Sequence, residues 1–129
     1  MDERKDIATR EDIEIFVRNF YERVKQDPTI GIVFTDIVKM DWVHHIPLIT
    51  DFWETILLDN PVYTKNAMEL HYHVNEVFPL RKEHFEAWLL IFNNTLEGLY
   101  AGPVTELAKK RAAGIAAVME FKMTNTPSL

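Results

Sequence analysis

The stretch Asp41–Leu58, DWVHHIPLITDFWETILL, decides the fold because its apolar residues repeat at helical spacing. Asp41 can cap the start of this helix, and the turn sequence Asp59-Asn60-Pro61 marks its end. On a helical wheel of about 100° per residue the large apolar side chains fall within one arc. They are Trp42, Ile46, Ile49, Trp53, Ile56 and Leu57, with Phe52 beside the arc.

Two histidines and one proline also lie within this predicted helix. His45 lies on the apolar face, whereas His44 lies on the opposite, solvated face. Pro47 falls within the first two turns, where it removes one hydrogen bond and bends the helix start without ending the helix. A histidine on an apolar face is more often a hydrogen-bonded core residue than a ligand, so the spacing alone leaves both interpretations of His45 open.

An amphipathic helix is predicted before this stretch. Thr9 and Asp12 have the spacing of a capping box, and the residue before Pro28 is pushed out of the α region, so the helix ends near Asp27. Phe34 closes a short apolar segment after this helix and is expected to point inward. The predicted inner face of the helix consists of Ile13, Phe16, Val17, Phe20, Tyr21 and Val24.

Two further helices are predicted toward the end of the chain. The first begins near Leu80 and ends at Gly102-Pro103; the second is capped by Thr105. The segment between residues 62 and 79 has only a weak pattern. The inner face of the first helix is Phe85, Trp88, Leu89, Phe92, Leu96, Leu99 and Tyr100. The inner face of the second is Leu107, Ala108, Ala112, Ile115, Val118 and Met119.

Composition narrows the class of protein. The chain has 129 residues, so one domain spanning residues 1–129 is expected, with its core over about residues 11–123. With 4 glycines and 6 prolines it has too few turn residues for a fold of many short strands, so an all-α class is favoured. The net charge of −6 argues against nucleic acid as a partner. The highly charged N-terminus and the lack of a long apolar run argue against a membrane location and favour a cytoplasmic one.

The sequence lacks the common motifs of most enzyme classes. The absence of cysteine excludes thiol enzymes and Cys-ligated metal sites, and there is no Gly-rich phosphate loop and no nucleophile elbow. Five histidines remain as candidate ligands. His71 and His73 are two residues apart and do not share a helix face, so at most one of them is expected to bind a metal.

In combination and in chain order these features resemble the group III truncated haemoglobins, short bacterial globins with a two-over-two helical sandwich around haem. The resemblance covers roughly residues 11–123. It rests on FYERV from Phe20, IGIVF ending at Phe34, the stretch Asp41–Leu58, HYHVN from His71, and FPLRKEHFEAWLLIF from Phe78. The W-x-x-H and F-W spacing and the H-F-x-x-W-L block are the distinctive parts.

The resemblance implies a site for haem b, iron protoporphyrin IX. It makes His71 the proximal iron ligand, with His73 as the alternative two residues away, and Phe34 the aromatic residue against the porphyrin. On the distal side it implies three residues that face the bound gas: Tyr21, His45 and Trp88. The first two also fall on predicted apolar faces, and Trp88 is on the inner face of the long helix.

The function implied by the resemblance is binding of small diatomic ligands, namely O2, NO and CO. Carriage or sensing competes with redox chemistry, such as nitric oxide dioxygenase-like or peroxidase-like turnover of peroxide, which needs an electron donor that the sequence does not identify. The alternative from a different class is a non-haem helical protein-interaction module with an aromatic core. The colour of the purified protein distinguishes the two.

Overall fold

A computed structural model of the chain describes residues 4–31, 42–62 and 81–125. The helices with both ends in this part are α1 (Arg10–Gln26), α2 (Trp42–Leu57), α3 (Lys82–Leu99) and α4 (Pro103–Asn125). No residue in the described part belongs to a strand. The all-α prediction is therefore confirmed. None of the described helices is long and apolar enough to cross a membrane.

Helix α1 begins and ends where local sequence signals predict. The Thr9 side chain accepts a hydrogen bond from the Asp12 backbone N–H at 3.2 Å, and the Asp12 carboxylate accepts one from the Thr9 N–H at 3.1 Å. Asp27 has an extended backbone directly before Pro28, which ends the helix. All six residues of the predicted inner face are buried.

Helices α1 and α2 are antiparallel neighbours in the fold. At one end Arg10 of α1 binds Asp51 and Glu54 of α2, with N–O distances of 2.6 and 3.0 Å. At the other end the rings of Tyr21 and His45 are in contact. The polar contacts at one end therefore align the two helices so that residues 21 and 45 meet at the other.

Aromatic rings join α1 to the second helix pair. Phe16 packs edge-on to Phe92 of α3 with ring centroids 4.9 Å apart, and Phe20 contacts both Phe92 and Trp88. Trp53 of α2 also packs on Phe92, at 5.1 Å. Helix α3 packs on α4, and α4 touches α2. The pair α1–α2 thus lies on the pair α3–α4, which is the predicted two-over-two sandwich.

Helix α2 continues through its internal proline, as predicted. It runs from Trp42 to Leu57 although Pro47 has no N–H to donate, and the buried Thr50 hydroxyl donates to the Ile46 carbonyl at 2.8 Å. The predicted end is also found. Asp59 follows the helix with φ of 54°, a left-handed conformation that aspartate tolerates better than most residues.

The start of α4 differs from the sequence prediction. Thr105 is not the cap, because the helix begins two residues earlier at Pro103. The capping group is the Asp6 carboxylate, which accepts hydrogen bonds from the N–H groups of Val104 and Thr105 and from the Thr105 hydroxyl, at 2.7–2.9 Å. Gly102, at φ of 143°, leaves room for this carboxylate because a Cβ there would lie 2.5 Å from Asp6 Cγ. The prediction failed because the cap is remote in sequence.

The inner face of α4 is also partly different from the prediction. Val118 is 48% exposed, and the buried residues are the small ones Thr105, Ala108, Ala112 and Ala116. Small side chains let α4 pack closely on its neighbours, and the predicted Leu107 and Ile115 pack partly buried against the core, whereas Val118 lies outside this face. The helical period is correct, but the face is centred on alanine.

We predict that Asp6→Ala lowers the free energy of unfolding by about 1 kcal/mol at pH 7, the usual cost of losing a helix cap. Partial burial raises the pKa of Asp6, but the hydrogen bonds to Val104, Thr105 and Ile7 outweigh it and hold the pKa below its usual 3.8. The stabilisation is therefore present above pH 3.8 and is lost as pH falls through the lowered value. Urea unfolding at several pH values measures it.

The matched control is Glu22→Ala, which removes an exposed carboxylate that pairs only with neighbouring Lys25 on the helix surface. We expect its effect at pH 7 to stay within about 0.5 kcal/mol. If Asp6→Ala destabilised the protein no more than Glu22→Ala, the capping role of Asp6 would be wrong.

Candidate functional site

Two polar side chains meet in the apolar interface between α1 and α2. Tyr21 is 6% exposed and His45 is 8% exposed, and both lie on the buried faces that the sequence predicts. Their ring centroids are 5.2 Å apart with the planes at 75°, an edge-to-face contact. The antiparallel alignment of the two helices thus brings together two predicted distal residues that are separated in sequence.

Tyr21 is a neutral phenol in this environment. Burial raises its pKa well above the ordinary value of 10.0, because the apolar surroundings disfavour the phenolate. The hydroxyl therefore keeps its proton at all physiological pH values. A protonated hydroxyl can donate a hydrogen bond but cannot act as a base.

Trp88, the third predicted distal residue, is half-buried on α3 and is connected to this pair through Phe20. Phe20 contacts Tyr21 at 4.9 Å and Trp88 at 5.7 Å between ring centroids. Phe92, one turn after Trp88, stacks on the indole at 5.3 Å with an interplanar angle of 27°. Three helices therefore contribute one polar side chain each to a continuous aromatic cluster: the Tyr21 hydroxyl, the His45 imidazole and the Trp88 indole.

The chemistry of this donor set fits the gas-binding side of a haem pocket. Each of the three side chains combines a large apolar body with a polar group that can donate a hydrogen bond. Leucine or phenylalanine would fill the same volume with no polar group to satisfy, and polar groups in a core cost free energy unless they are paired. Tyrosine and histidine at the α1–α2 junction can each donate a hydrogen bond to a ligand that accepts one.

The remaining predicted site residues lie outside the described part of the chain. They are Phe34, His71 and His73. Their predicted roles on the porphyrin and as axial ligand therefore stay predictions.

Sequence reasoning missed the role of Phe20 and Phe92 at the site. The helical pattern places both on inner faces, but it does not show that one contacts Tyr21 and Trp88 together and that the other stacks on the indole. The only available signals are the adjacency of Phe20 to Tyr21 and the four-residue spacing of Phe92 from Trp88. Contacts between helices are not readable from these spacings.

Comparisons with known proteins agree with this architecture. No family model matches the chain. The chain is 28% identical over 110 residues to the group 3 truncated hemoglobin ctb of Campylobacter jejuni, which covers 83% of this chain and 84% of that protein. The crystal structure of a group III truncated hemoglobin from the same organism superposes with a TM-score of 0.81 at 26% identity, over 98% of this chain and 99% of the other. The chain thus has the all-α truncated-globin fold, and its resemblance to the group III truncated haemoglobins is confirmed.

Proposed function

We propose that this protein is a haem protein that binds small diatomic gases, with Tyr21, His45 and Trp88 on the gas-binding side. The observation that carries the proposal is the buried contact between Tyr21 and His45, connected to Trp88 through Phe20. In a truncated-globin fold these residues supply hydrogen-bond donors from three helices to one region. The relatives named above are haemoglobins by name, which supports the same assignment.

The proximal side is assigned by the resemblance alone. His71 is proposed as the iron ligand through one imidazole nitrogen, with the other nitrogen free to donate to a carbonyl or carboxylate that orients the ring. Phe34 is proposed to pack on the porphyrin, which is proposed to be haem b. When bound, haem would supply an iron that takes a small gas as a ligand. His71 would hold that iron through its imidazole nitrogen.

The distal residues act by donating hydrogen bonds. The raised pKa keeps the Tyr21 phenol protonated, so its hydroxyl donates to a gas ligand that carries partial negative charge. The Trp88 indole N–H can only donate, and the His45 imidazole can donate from one nitrogen. In an apolar pocket each good donor contributes about 1–3 kcal/mol, or roughly ten- to a hundredfold in affinity.

Donors of this kind discriminate between gases. A ligand that carries more partial negative charge gains more from the same hydrogen bonds, so these donors would favour oxygen over carbon monoxide. Slow release of oxygen follows, and slow release favours chemistry on the held ligand over delivery to another site. Oxidation of nitric oxide is one such reaction. Turnover of peroxide is another, and it needs an electron donor that no contact in the described residues identifies.

The second candidate is a helical protein-interaction module that uses the aromatic cluster only as a core. The exposed large apolar side chains of the described part include Val43 on α2, Leu90 on α3, and Val118 and Phe121 on α4. No described observation favours this candidate. The expectations of one domain and of a cytoplasmic location stay predictions.

Uptake of haemin distinguishes the two candidates directly. We expect the purified protein to be red, or to take up added haemin at one equivalent per chain with an intense absorption band. A colourless protein that binds no haemin would contradict the haem assignment and leave the interaction module. Titration of haemin against the absorption spectrum is the measurement.

The proximal assignment predicts different outcomes for two neighbouring histidines. His71→Ala is expected to lose most of its haem or to show a changed axial ligand, because the imidazole nitrogen holds the iron. His73→Ala is the matched control and is expected to keep a near wild-type spectrum. If His73→Ala were the variant that loses haem, the ligand would be His73.

The distal assignment predicts that Tyr21→Phe and Trp88→Phe each raise the oxygen dissociation rate by roughly ten- to a hundredfold, because each change removes one donor. Carbon monoxide release should change much less. The double variant should be non-additive if both donors belong to one network. Stopped-flow measurements give these rates, and values within twofold of wild type for both single variants would overturn the distal assignment.

A further inference from the structure

Phe20 is the side chain that two of the three proposed donors share. Its ring lies edge-on to Tyr21, with centroids 4.9 Å apart and planes at 67°, and edge-on to Trp88, at 5.7 Å and 89°. Phe20 is fully covered at 3% exposure. A change in the position of this ring therefore changes the packing of both donor side chains.

The Phe20 ring is itself held firmly. Phe92 packs edge-on to it, with ring centroids 5.5 Å apart and planes at 76°. Because Phe92 also stacks on Trp88, the rings of residues 20, 88 and 92 form a closed triangle of contacts. Close-packed interiors leave such rings few alternative rotamers. The triangle therefore fixes the indole from two sides.

Helix geometry explains why Phe20 and Tyr21 act on different partners. Adjacent residues on a helix point about 100° apart, so Phe20 contacts α3 while Tyr21 contacts His45 on α2. Both are buried because α1 packs on α2 and α3 at once. Phe20 consequently packs between the Tyr21 ring and α3.

We propose that Phe20 is a positioning residue for gas binding, whose ring fixes the Tyr21 and Trp88 side chains together so that the two donors act as one unit. The proposal rests on the proposed function, in which these two side chains donate to the gas. Phe20 has no polar group and does not itself contact the ligand through a hydrogen bond. Its effect is on the geometry of the donors.

Phe16 provides a matched control on the same helix. It is 0% exposed, and its ring contacts are with Phe20, Trp53 and Phe92. Phe16→Leu and Phe20→Leu make the same chemical change in the same core, so both should lower the unfolding free energy. Only the change at residue 20 removes a ring that touches both donors.

The first test compares gas release from the haem-loaded variants. Phe20→Leu is expected to raise the oxygen dissociation rate by roughly tenfold, the scale of one weakened donor, with carbon monoxide release changed much less. Phe16→Leu should leave oxygen release within twofold of wild type despite its lower stability. Phe20→Met keeps most of the volume while removing the flat ring, and it gives the same test if Phe20→Leu does not fold.

The second test measures the NMR signal of the Trp88 indole N–H and does not depend on gas kinetics. In the diamagnetic carbon monoxide complex, the Trp88 indole N–H signal is assigned as the one missing from the Trp88→Phe spectrum. We expect one sharp signal for wild type and Phe16→Leu, and a broadened or multiple signal for Phe20→Leu or Phe20→Met. A double-variant cycle of Tyr21→Phe and Trp88→Phe should become additive in the Phe20→Leu background.

The outcomes separate this proposal from the proposed function. A wild-type protein that takes up no haem overturns both. A protein that binds haem and gas, but in which the residue 20 variants match Phe16→Leu in oxygen release and in the Trp88 signal, overturns only the positioning role. Raised oxygen release with a disordered indole signal in the residue 20 variants alone supports it.

Discussion

Burial of α1 on two sides is the constraint on which the rest of the structure depends. Phe16 and Phe20 pack on α3, while Tyr21 packs on α2 beside His45. A helix covered on two faces needs a wide apolar arc, which the six inner residues of α1 supply. Any polar side chain on that arc becomes a buried group at a junction of three helices. Tyr21 occupies that position.

Two sets of polar contacts in the described part lie away from this junction. Arg10 binds Asp51 and Glu54 at the far end of the α1–α2 pair, and Asp6 holds the start of α4. These contacts set the alignment of the helices, whereas the aromatic cluster lies at the other end of the α1–α2 pair. Tyr21 and His45 therefore lie in apolar surroundings, where a hydrogen bond is stronger than it is in water.

Local signals were readable from the sequence and remote ones were not. Thr9 and Asp12 predict the start of α1 because a capping box spans only four residues, and the equally short Asp59-Asn60-Pro61 predicts the end of α2. The α4 cap from Asp6 joins residues 98 apart, so no local pattern contains it. Tyr21 and His45 could each be placed on an apolar face, but their contact depends on how α1 and α2 align. The contacts of Phe20 and Phe92 with Trp88 depend likewise on the packing of α1 and α3.

A crystal structure of the haem-loaded protein tests the central claim most directly. It is predicted to show Tyr21, His45 and Trp88 on one face of the porphyrin and His71 bound to the iron from the other, with Phe20 between Tyr21 and Trp88. Haem bound elsewhere, or haem bound so that Tyr21 and His45 do not face the iron, would contradict the account.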